Sequence, residues 1–231
     1  MSNYGSISRI IQELIANVPY EKNPHHETLG IGHASMAGKC ARQIWLSSHI
    51  SAEKRKQEPV MLFGQLIHNW FEDKVGSLSE ETLKSTVPVD FRPKYNVIGL
   101  ADFVSEKTVG ELKTTKKFAL KWLDAPREQH ILQASIYAYG LNKPYIEIIY
   151  ICRDTAEVRP FFWPRLNNIV NEISRISDIT TMHVPPEKYT WKGDKLEPAR
   201  PWNGKLRKNE PWECRYCSFW KECFEIDRAS R

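Results

Sequence analysis

Two carboxylates and a lysine near the middle of the chain have a spacing that suits metal-assisted hydrolysis. Asp102 and Glu111 fall in neighbouring stretches typical of β-strands. If these strands form a hairpin that turns at 106–107, Asp102 lies opposite Glu111, and Lys113 shares their face because alternate residues of a strand do. Like charges this close are costly unless a cation lies between them, and carboxylate oxygens suit Mg²⁺ or Mn²⁺. The pattern predicts a divalent metal site whose lysine positions water or stabilises an anionic transition state. The alternative is a surface hairpin with a cross-strand ion pair.

His68 is a candidate ligand for the same metal. It lies in an apolar stretch with helical periodicity, where an isolated histidine is more often a structural residue of the core. Beside a pair of carboxylates, its imidazole becomes a candidate metal ligand. Gly64, one turn earlier, would let a backbone or a substrate approach closely.

Polar residues that could contact a nucleotide follow on a third element. Gln129, Gln133 and Tyr137 recur at intervals of four, which places them on one face of a helix. Gln133 could hydrogen-bond a phosphate or a base, and Tyr137 could stack on or contact a nucleotide. The alternative is the polar outward face of an amphipathic helix.

Three of the five cysteines are close together in the sequence. Two residues separate Cys214 from Cys217, which lets both thiolates reach one metal centre, and Cys223 follows after five more. A soft-metal site usually takes four ligands, so the fourth must come from elsewhere. Cys152 lies in an apolar strand and is predicted to be a core residue, whereas Cys40 lies in a polar stretch. The alternative is that the three clustered cysteines are unrelated packing residues.

The elements that would position these residues alternate between two periods. Helical periodicity is found in Ser6–Val18, Ala34–His49, Pro59–Val75, Glu128–Leu141 and Arg165–Met182. Strand patterns are found in Thr86–Phe91, Asn96–Val104, Thr108–Lys113, Tyr145–Arg153 and Glu157–Trp163. The stretch 184–211, rich in Pro, Lys and Trp, is predicted to be an irregular arm that leads to the cysteines. Its basic and aromatic residues could line a channel for a nucleic-acid strand or belong to a solvated loop: Trp191, Trp202, Lys205, Arg207 and Lys208.

The composition is that of a globular protein. Of 231 residues, 41% are hydrophobic and 26% are charged, which excludes a disordered chain, a collagen-like fibre and a coiled-coil rod. The net charge of +5 permits a polyanionic partner without requiring one. No apolar run is long enough to span a membrane, and the first 15 residues lack the pattern of a signal peptide. We therefore expect a cytoplasmic location, where thiols stay reduced.

Taken together, the ordered motifs resemble the PD-(D/E)XK nuclease superfamily. The order is Cys40, Gly64-x3-His68, Gly99-x2-Asp102, Glu111-Leu-Lys113, Gln133-x3-Tyr137 and Cys214-x2-Cys217-x5-Cys223. More closely, it is similar to the RecB-like exonucleases with an iron–sulfur cluster, among which the CRISPR-associated single-domain members are nearest in size. The resemblance covers roughly 35–223. It implies an α/β restriction-endonuclease-like core with a mixed central sheet flanked by helices, and with the N- and C-terminal segments joined by four cysteines.

The resemblance also implies roles for individual residues. The implied roles are metal binding by His68, Asp102 and Glu111, catalysis by Lys113 with Glu111 and Asp102, DNA contact by Gln133 and Tyr137, and a 4Fe–4S cluster on Cys40, Cys214, Cys217 and Cys223. Zinc is the alternative occupant of the four cysteines. One departure from the family is that Ala41 follows Cys40, where such proteins usually have proline.

The expected function is that of a Mg²⁺- or Mn²⁺-dependent deoxyribonuclease, an exonuclease acting on single-stranded DNA ends in recombination, repair or CRISPR spacer acquisition. We expect one nuclease domain over 1–231, with its core at about 59–183, a helical segment at 1–58 and the cysteine-rich segment at 184–231. The chain carries no helicase motor, so helicase, recombination or CRISPR adaptation proteins are the expected partners besides DNA. The alternative is a non-catalytic iron–sulfur or zinc DNA-binding subunit of a larger complex.

Overall fold

The structure, a computed structural model, describes residues 29–50, 59–77, 83–187, 189–192, 195–198, 214 and 217–229. The predicted helix Ser6–Val18 lies outside the described residues, as do the proposed channel residues Trp202, Lys205, Arg207 and Lys208.

Helices and strands alternate along the chain as the sequence periods indicate. The strands are β1 Gly32–His33, β2 Leu83–Asp90, β3 Val97–Ser105, β4 Thr108–Thr115, β5 Tyr145–Cys152, β6 Val158–Pro164, β7 Tyr189–Lys192 and β8 Lys195–Pro198. The helices are α1 Ala41–His49, α2 Pro59–Ser77, α3 Arg92–Tyr95, α4 Lys117–Lys121, α5 Glu128–Gly140, α6 Ile169–Thr181 and α7 Trp220–Ala229, with a 3₁₀ turn at Ala34–Met36.

Strands β1 to β6 form a mixed sheet. Its order is β1-β3-β4-β5-β6, and β2 pairs with β3 as well. The β1–β3 and β4–β5 pairs are parallel, whereas the β2–β3, β3–β4 and β5–β6 pairs are antiparallel. Helices α4 and α5 lie between β4 and β5 in the sequence. They form the long connection that two parallel neighbouring strands need.

Helices α5 and α6 pack on one face of this sheet. In α6 the buried residues Ile169, Ile173, Ile176 and Ile179 recur at helical spacing and form an apolar stripe. The middle of α5 is buried on all sides, as expected of a helix that lies between a sheet and a second helix. Both helices contribute to one large apolar core with Val109, Ile146 and other sheet residues.

The other face of the sheet carries a smaller cluster. Phe103, Leu112 and Ile151 are buried there, and α2 covers them with Ile67 and Phe71. Glu111 and Lys113 alternate with Leu112 along β4 and therefore point to the α5 side. The predicted alternation of β4 thus separates an apolar face from a charged one.

Two stretches differ from the sequence-based expectation. The predicted helix Ala34–His49 is interrupted, because Gly38 adopts φ +68°, which ends the 3₁₀ turn and lets a separate helix begin after Cys40. The region predicted to be an irregular arm contains the β7–β8 hairpin, and Trp191 lies in β7. The remaining predicted helices and strands among the described residues are found within a few residues of their expected bounds.

The predicted fold class is confirmed as a mixed central sheet flanked by helices. Within the part of the chain described here, no helix combines the length and the apolar character that a membrane crossing requires.

Candidate active site

The β3–β4 hairpin has the register predicted from its sequence. Phe103 pairs with Gly110 and Val104 with Val109, which continues to Asp102 opposite Glu111. The ladder itself stops at Phe103–Gly110, so β3 and β4 separate at the position of the two acids. This separation opens a cleft on the α5 side of the sheet.

Where β3 and β4 separate, side chains supply the hydrogen bonds that the strands no longer make to each other. The amide of Leu112 donates to Asp102 Oδ2 at 2.7 Å. The Leu112 carbonyl accepts from His68 Nε2 at 2.8 Å, which requires that this nitrogen carry the ring proton. The same Nε2 lies 3.4 Å from Asp102 Oδ2. Buried backbone groups need partners, and here Asp102 and His68 supply them from β3 and α2.

Glu111 is the most deeply buried of the candidate residues, with 1% of its surface exposed. Its Oε1 accepts a hydrogen bond from the Lys113 ammonium. Its Oε2 is buried and has no hydrogen-bond partner among the described residues. A buried carboxylate oxygen without a partner is costly, so Glu111 has an unused ligating atom in the cleft.

The three charges perturb one another. Burial and the negative charge of Glu111 raise the pKa of Asp102 to about 7. Burial by itself would lower the pKa of Lys113, but the charges of Glu111 and Asp102 outweigh it and raise that pKa above its usual value. Lys113 is therefore held as a cation, which suits charge stabilisation better than proton abstraction.

Gln133 and Tyr137 face these charges from α5. The amide nitrogen of Gln133 donates to the Tyr137 hydroxyl at 3.1 Å, and both residues line the cleft. Burial, with the nearby charges of Glu111 and Asp102, raises the pKa of Tyr137 well above its usual value. The Tyr137 ring lies against Gly99, where a Cβ would stand 2.4 Å from its Cε1. Tyr137 is 3% exposed, which leaves no ring face open for stacking on a base, and its hydroxyl is the part that faces the cleft.

The structure thus brings together the six residues predicted to bind metal, to catalyse or to contact DNA: His68, Asp102, Glu111, Lys113, Gln133 and Tyr137. They line a cleft of about 320 Å³ together with residues that the sequence analysis did not single out: His33, Gln65, Asn69 and Thr86. Gln65 and Asn69 lie within a turn of His68 on α2, a spacing that could have pointed to them. His33 and Thr86 gave no such signal, because only the sheet brings their strands to the cleft.

Thr86 has an unusual backbone. Its φ is +56°, a rare value for a β-branched residue. It lies where the β2–β3 ladder omits one pair, the pair that would join Thr86 to Asp102. A conformational irregularity in the strand next to β3 therefore coincides with the candidate catalytic acid.

A second group that the sequence analysis missed lies beside Lys113. The β4–β5 register pairs Lys113 with Tyr150. The Tyr150 hydroxyl lies 2.7 Å from His130 Nδ1 and accepts from the Arg127 amide at 3.1 Å. Burial, followed by the positive charges of Lys113, Arg127 and Lys39, lowers the pKa of His130 to about 3. Arg127 and Lys39 therefore lie near enough to act on the same histidine as Lys113.

The cysteines lie away from this cleft, and three of them are neighbours. Burial, with the nearby thiols of Cys223 and Cys40, raises the pKa of Cys217. The amide of Cys217 donates to the Cys214 carbonyl at 3.4 Å, which closes the expected turn between those two cysteines. Cys152 is instead buried in the main core at 1% exposure, in agreement with the prediction of a packing role.

The loop that carries Cys40 is held by α6. The Gly38 amide donates to Glu172 Oε1 at 2.7 Å. Arg175 bonds both oxygens of Glu172 and donates to the Lys39 carbonyl. These contacts hold the segment before α1 on the body of the domain.

Helix α1 is joined to the chain that follows α6. Arg42 Nε donates to the Pro186 carbonyl at 2.8 Å, and its Nη1 lies 3.9 Å from Cys223 Sγ. Trp45 Nε1 donates to the Met182 carbonyl at 2.9 Å. Helix α1 therefore contacts both the segment that follows α6 and Cys223. This packing brings the N-terminal and C-terminal cysteines together.

Among the described residues, no three or more His, Cys, Asp or Glu side chains already stand in the arrangement of a metal site, either in the cleft or at the cysteines. The donor types nevertheless fit the implied groups. The cleft offers hard oxygen donors and the imidazoles of His33 and His68, and Glu111 Oε2 has no hydrogen-bond partner among the described residues, as Mg²⁺ or Mn²⁺ would require. The C-terminal segment offers thiols, which suit a soft iron–sulfur or zinc centre.

Neither protein-family models nor curated protein sequences match this chain. Among solved structures, it is similar to the crystal structure of SSO0001, with a TM-score of 0.57 and 17% identity over 93% of this chain and 94% of that chain. An alkaline exonuclease, LHK-Exo, from Laribacter hongkongensis has a TM-score of 0.48 and 11% identity, covering 65% of this chain and 86% of that one. A phage-related exonuclease from Haemophilus somnus 129PT has a TM-score of 0.43 and 9% identity, covering 61% of this chain and 77% of that one. At these identities the comparisons concern the fold alone, which is a mixed central sheet flanked by helices.

Proposed function

We propose that this protein is a metal-dependent nuclease that hydrolyses phosphodiester bonds of DNA in the cleft between β3, β4, α2 and α5. The observation that carries the proposal is that Oε2 of Glu111, buried beside Asp102 and Lys113, has no hydrogen-bond partner in the part of the chain that the structure describes. A purely structural carboxylate would be expected to use both oxygens. A divalent cation held in the cleft would satisfy this oxygen and would offset the repulsion between the two acids.

The residues divide the work by their chemistry. Asp102, Glu111 and His68 would hold Mg²⁺ or Mn²⁺, which when bound activates water and polarises the phosphate. His68 would first release the Leu112 carbonyl, since Nε2 carries a proton in the present arrangement. Lys113, held as a cation by Glu111, would orient water or neutralise charge that develops on the phosphate oxygens. The Gln133 amide and the Tyr137 hydroxyl would hydrogen-bond the strand.

We further propose that the substrate is a single-stranded end. A cleft of about 320 Å³ has the size of a site for one small ligand, so a strand would place one nucleotide in it at a time. Single strands within duplex DNA must be released by another protein, which makes a helicase a suitable partner. From the resemblance of the motifs, we also propose recombination proteins and CRISPR adaptation proteins as partners.

We also propose that Cys40, Cys214, Cys217 and Cys223 hold a 4Fe–4S cluster with a structural role, or a zinc ion in its place. The electrostatic influence of Cys40 and Cys223 on Cys217 supports this grouping. Residues about 170 positions apart in sequence would be joined, and closing so long a loop removes much of the entropy of the unfolded chain.

A second candidate function is a non-catalytic DNA-binding subunit with a structural iron–sulfur or zinc centre. The observation that favours it is that Asp102 and His68 each satisfy a backbone group of Leu112, which gives them a structural use without any metal.

A nuclease assay on the isolated full chain separates the two. We expect end-labelled single-stranded DNA to be shortened with Mn²⁺ or Mg²⁺ and to stay intact with EDTA. Glu111→Gln should abolish cleavage and should weaken Mn²⁺ binding measured by titration, and circular dichroism checks that the variant still folds, because the substitution also removes one charge of the buried pair with Lys113. Glu147→Gln, on neighbouring β5 but outside the cleft, is the matched control and should cleave normally. If the wild-type chain binds DNA but no metal and no cleavage is found, the non-catalytic function stands.

A further inference from the structure

Helix α4 presents two large aromatic side chains to solvent. Phe118 is 77% exposed and Trp122 is 66% exposed, the most exposed aromatic residues among the described ones. Phe118 lies in α4, and Trp122 is the residue that caps its C-terminus, with φ −104° and ψ 14°. The two residues are four apart around this last turn and therefore lie on the same side. Large exposed apolar groups in a pair are costly to maintain and commonly mark a binding surface.

This short helix is firmly anchored in spite of its exposed rings. Asp154 Oδ2 accepts from the Lys117 amide at 2.7 Å at its start. Arg159 Nη1 donates to the Leu120 carbonyl at 2.6 Å at its end, and to the Leu123 carbonyl at 3.4 Å just beyond. Leu120, between the rings in sequence, is buried in the main core. The β5–β6 hairpin thus holds α4 in a fixed pose with Phe118 and Trp122 pointing outward.

The stretch Lys116–Trp122 is itself positively charged, and the acid in contact with it is Asp154, which bonds the backbone at the start of α4. Of the seven residues in Lys116–Trp122, three are lysines and none is acidic. All three lysines are exposed, and the Lys121 ammonium lies 5.2 Å from the centre of the Trp122 ring. The cores of protein–protein interfaces are depleted in lysine. Rings flanked by lysines are instead typical of surfaces that stack the bases of a single strand and neutralise its phosphates.

The position of α4 connects it to the cleft. Lys113 and Phe118 are five residues apart on one chain, so their Cα atoms are separated by at most about 17 Å. At a rise of about 3.4 Å per nucleotide along a strand, that distance spans about five nucleotides. The backbone amide of Arg127 and the neutral ring of His130 are both bonded to Tyr150, the residue paired with Lys113. The exposed side chain of Arg127 is therefore a further cation in the neighbourhood of Lys113.

We propose that Phe118 and Trp122 form a stacking platform for a single-stranded nucleic acid that continues into the cleft within about five nucleotides, with Lys116, Lys117 and Lys121 contacting its phosphates. The inference rests on the proposed nuclease function for the position of the strand, but the platform binds the strand whether or not the cleft cleaves it. We call the surface formed by these five residues the α4 platform.

The test measures strand binding without cleavage. The full chain carrying Glu111→Gln is titrated into a fluorescein-labelled deoxythymidine oligonucleotide of about 15 nucleotides, and anisotropy gives the Kd. We expect Phe118→Ala and Trp122→Ala each to raise the Kd on the order of tenfold, and the double variant on the order of a hundredfold. Phe162→Ala removes a ring that is 60% exposed on β6 and serves as the matched control, with an unchanged Kd expected.

Two further variants separate direct contact from a structural effect. Trp122→Phe keeps a stacking ring, so it should retain binding while losing part of the tryptophan quenching that the oligonucleotide causes. Lys117→Gln and Lys121→Gln should each reduce the slope of log Kd against log salt by about 0.7. All variants should melt at the wild-type temperature, because the substituted side chains are exposed.

The outcomes distinguish this proposal from the nuclease proposal. Loss of binding in the double variant supports the platform, even if the wild-type chain cleaves nothing. Unchanged binding in the double variant overturns the platform, even if the wild-type chain is an active nuclease. A double variant that binds the oligonucleotide normally but changes its oligomeric state in sedimentation would show that α4 is a protein interface, which also overturns the proposal.

Discussion

The carboxylate of Asp102 receives the backbone amide of Leu112 at 2.7 Å across the point where β3 and β4 separate. One oxygen of this acid therefore bonds a backbone amide at the point where the β3–β4 pairing is interrupted. The charge of the same acid faces Glu111, and burial raises its pKa to about 7. The two roles can be separated experimentally, because an amide can accept the hydrogen bond but carries no charge.

Asp102→Asn should therefore fold normally and lose activity. We expect cleavage to fall by more than about 100-fold, since even groups that only support a metal ligand cost about 10–100-fold when removed. Removing a buried charge should leave the free energy of unfolding unchanged or higher. Asp102→Leu is the comparison, because it also leaves the Leu112 amide without a partner and should lower stability by about 1–3 kcal/mol. Urea unfolding and a Mn²⁺-dependent cleavage assay measure both effects. Equal stability of the two variants would contradict the structural role of Asp102.

Gly99 should tolerate no side chain while Tyr137 is present. A Cβ at Gly99 would lie 2.4 Å from Tyr137 Cε1 and 2.9 Å from the Ala34 Cβ. We expect Gly99→Ala to lower the free energy of unfolding by about 1–3 kcal/mol through overpacking. In a Tyr137→Leu background the added cost should shrink, and the double-mutant cycle gives the coupling.

Gly64→Ala is the matched control for that substitution. Among the described residues, its Cβ would meet Thr114 Oγ1 alone, at 3.1 Å, and alanine favours a helix over glycine by about 1 kcal/mol. We expect stability to be unchanged or raised. If Gly99→Ala is as well tolerated as Gly64→Ala, the close packing of Tyr137 against β3 is wrong.

His130 should make the protein sensitive to acid. Burial and the charges of Lys113, Arg127 and Lys39 lower its pKa from 6.5 to about 3. Between those values the unfolded chain binds a proton that the folded chain does not, so stability present above pH 6.5 is lost as the pH falls. The loss through this one group is at most about 1.4 kcal/mol per pH unit. Urea unfolding at pH 7, 6 and 5 should show a shallower decline for His130→Gln. Parallel pH profiles for the two proteins would refute the assignment.

The four proposed cluster cysteines should behave alike and Cys152 should not. Cys40→Ser, Cys214→Ser, Cys217→Ser and Cys223→Ser should each lose visible colour in anaerobic preparations, together with stability, because metal binding contributes to folding. Cys152→Ala should keep the colour at a packing cost of about 1 kcal/mol. Elemental analysis identifies the occupant: about four irons with matching sulfide support the cluster, whereas one zinc without sulfide supports the alternative.

The sequence by itself predicted the local geometry of the site. Hairpin symmetry about 106–107 placed Asp102 opposite Glu111, and strand alternation placed Lys113 beside them, which is the observed arrangement. Helical spacing likewise placed Gln133 and Tyr137 on one face of α5. These relationships depend only on the period of two residues in a strand and of about four residues in a helix. They can therefore be derived before the fold is known.

Tertiary packing decided which residues of distant segments contact each other. Whether Tyr137 offers its ring or only its hydroxyl depends on the approach of α5 to Gly99, and the environment of Lys113 depends on Tyr150 and His130 arriving from β5 and α5. The exposure of Phe118 follows from Asp154 and Arg159 anchoring α4. Such contacts arise from the crossing of whole elements, whose positions are set by the shared core and not by any local repeat.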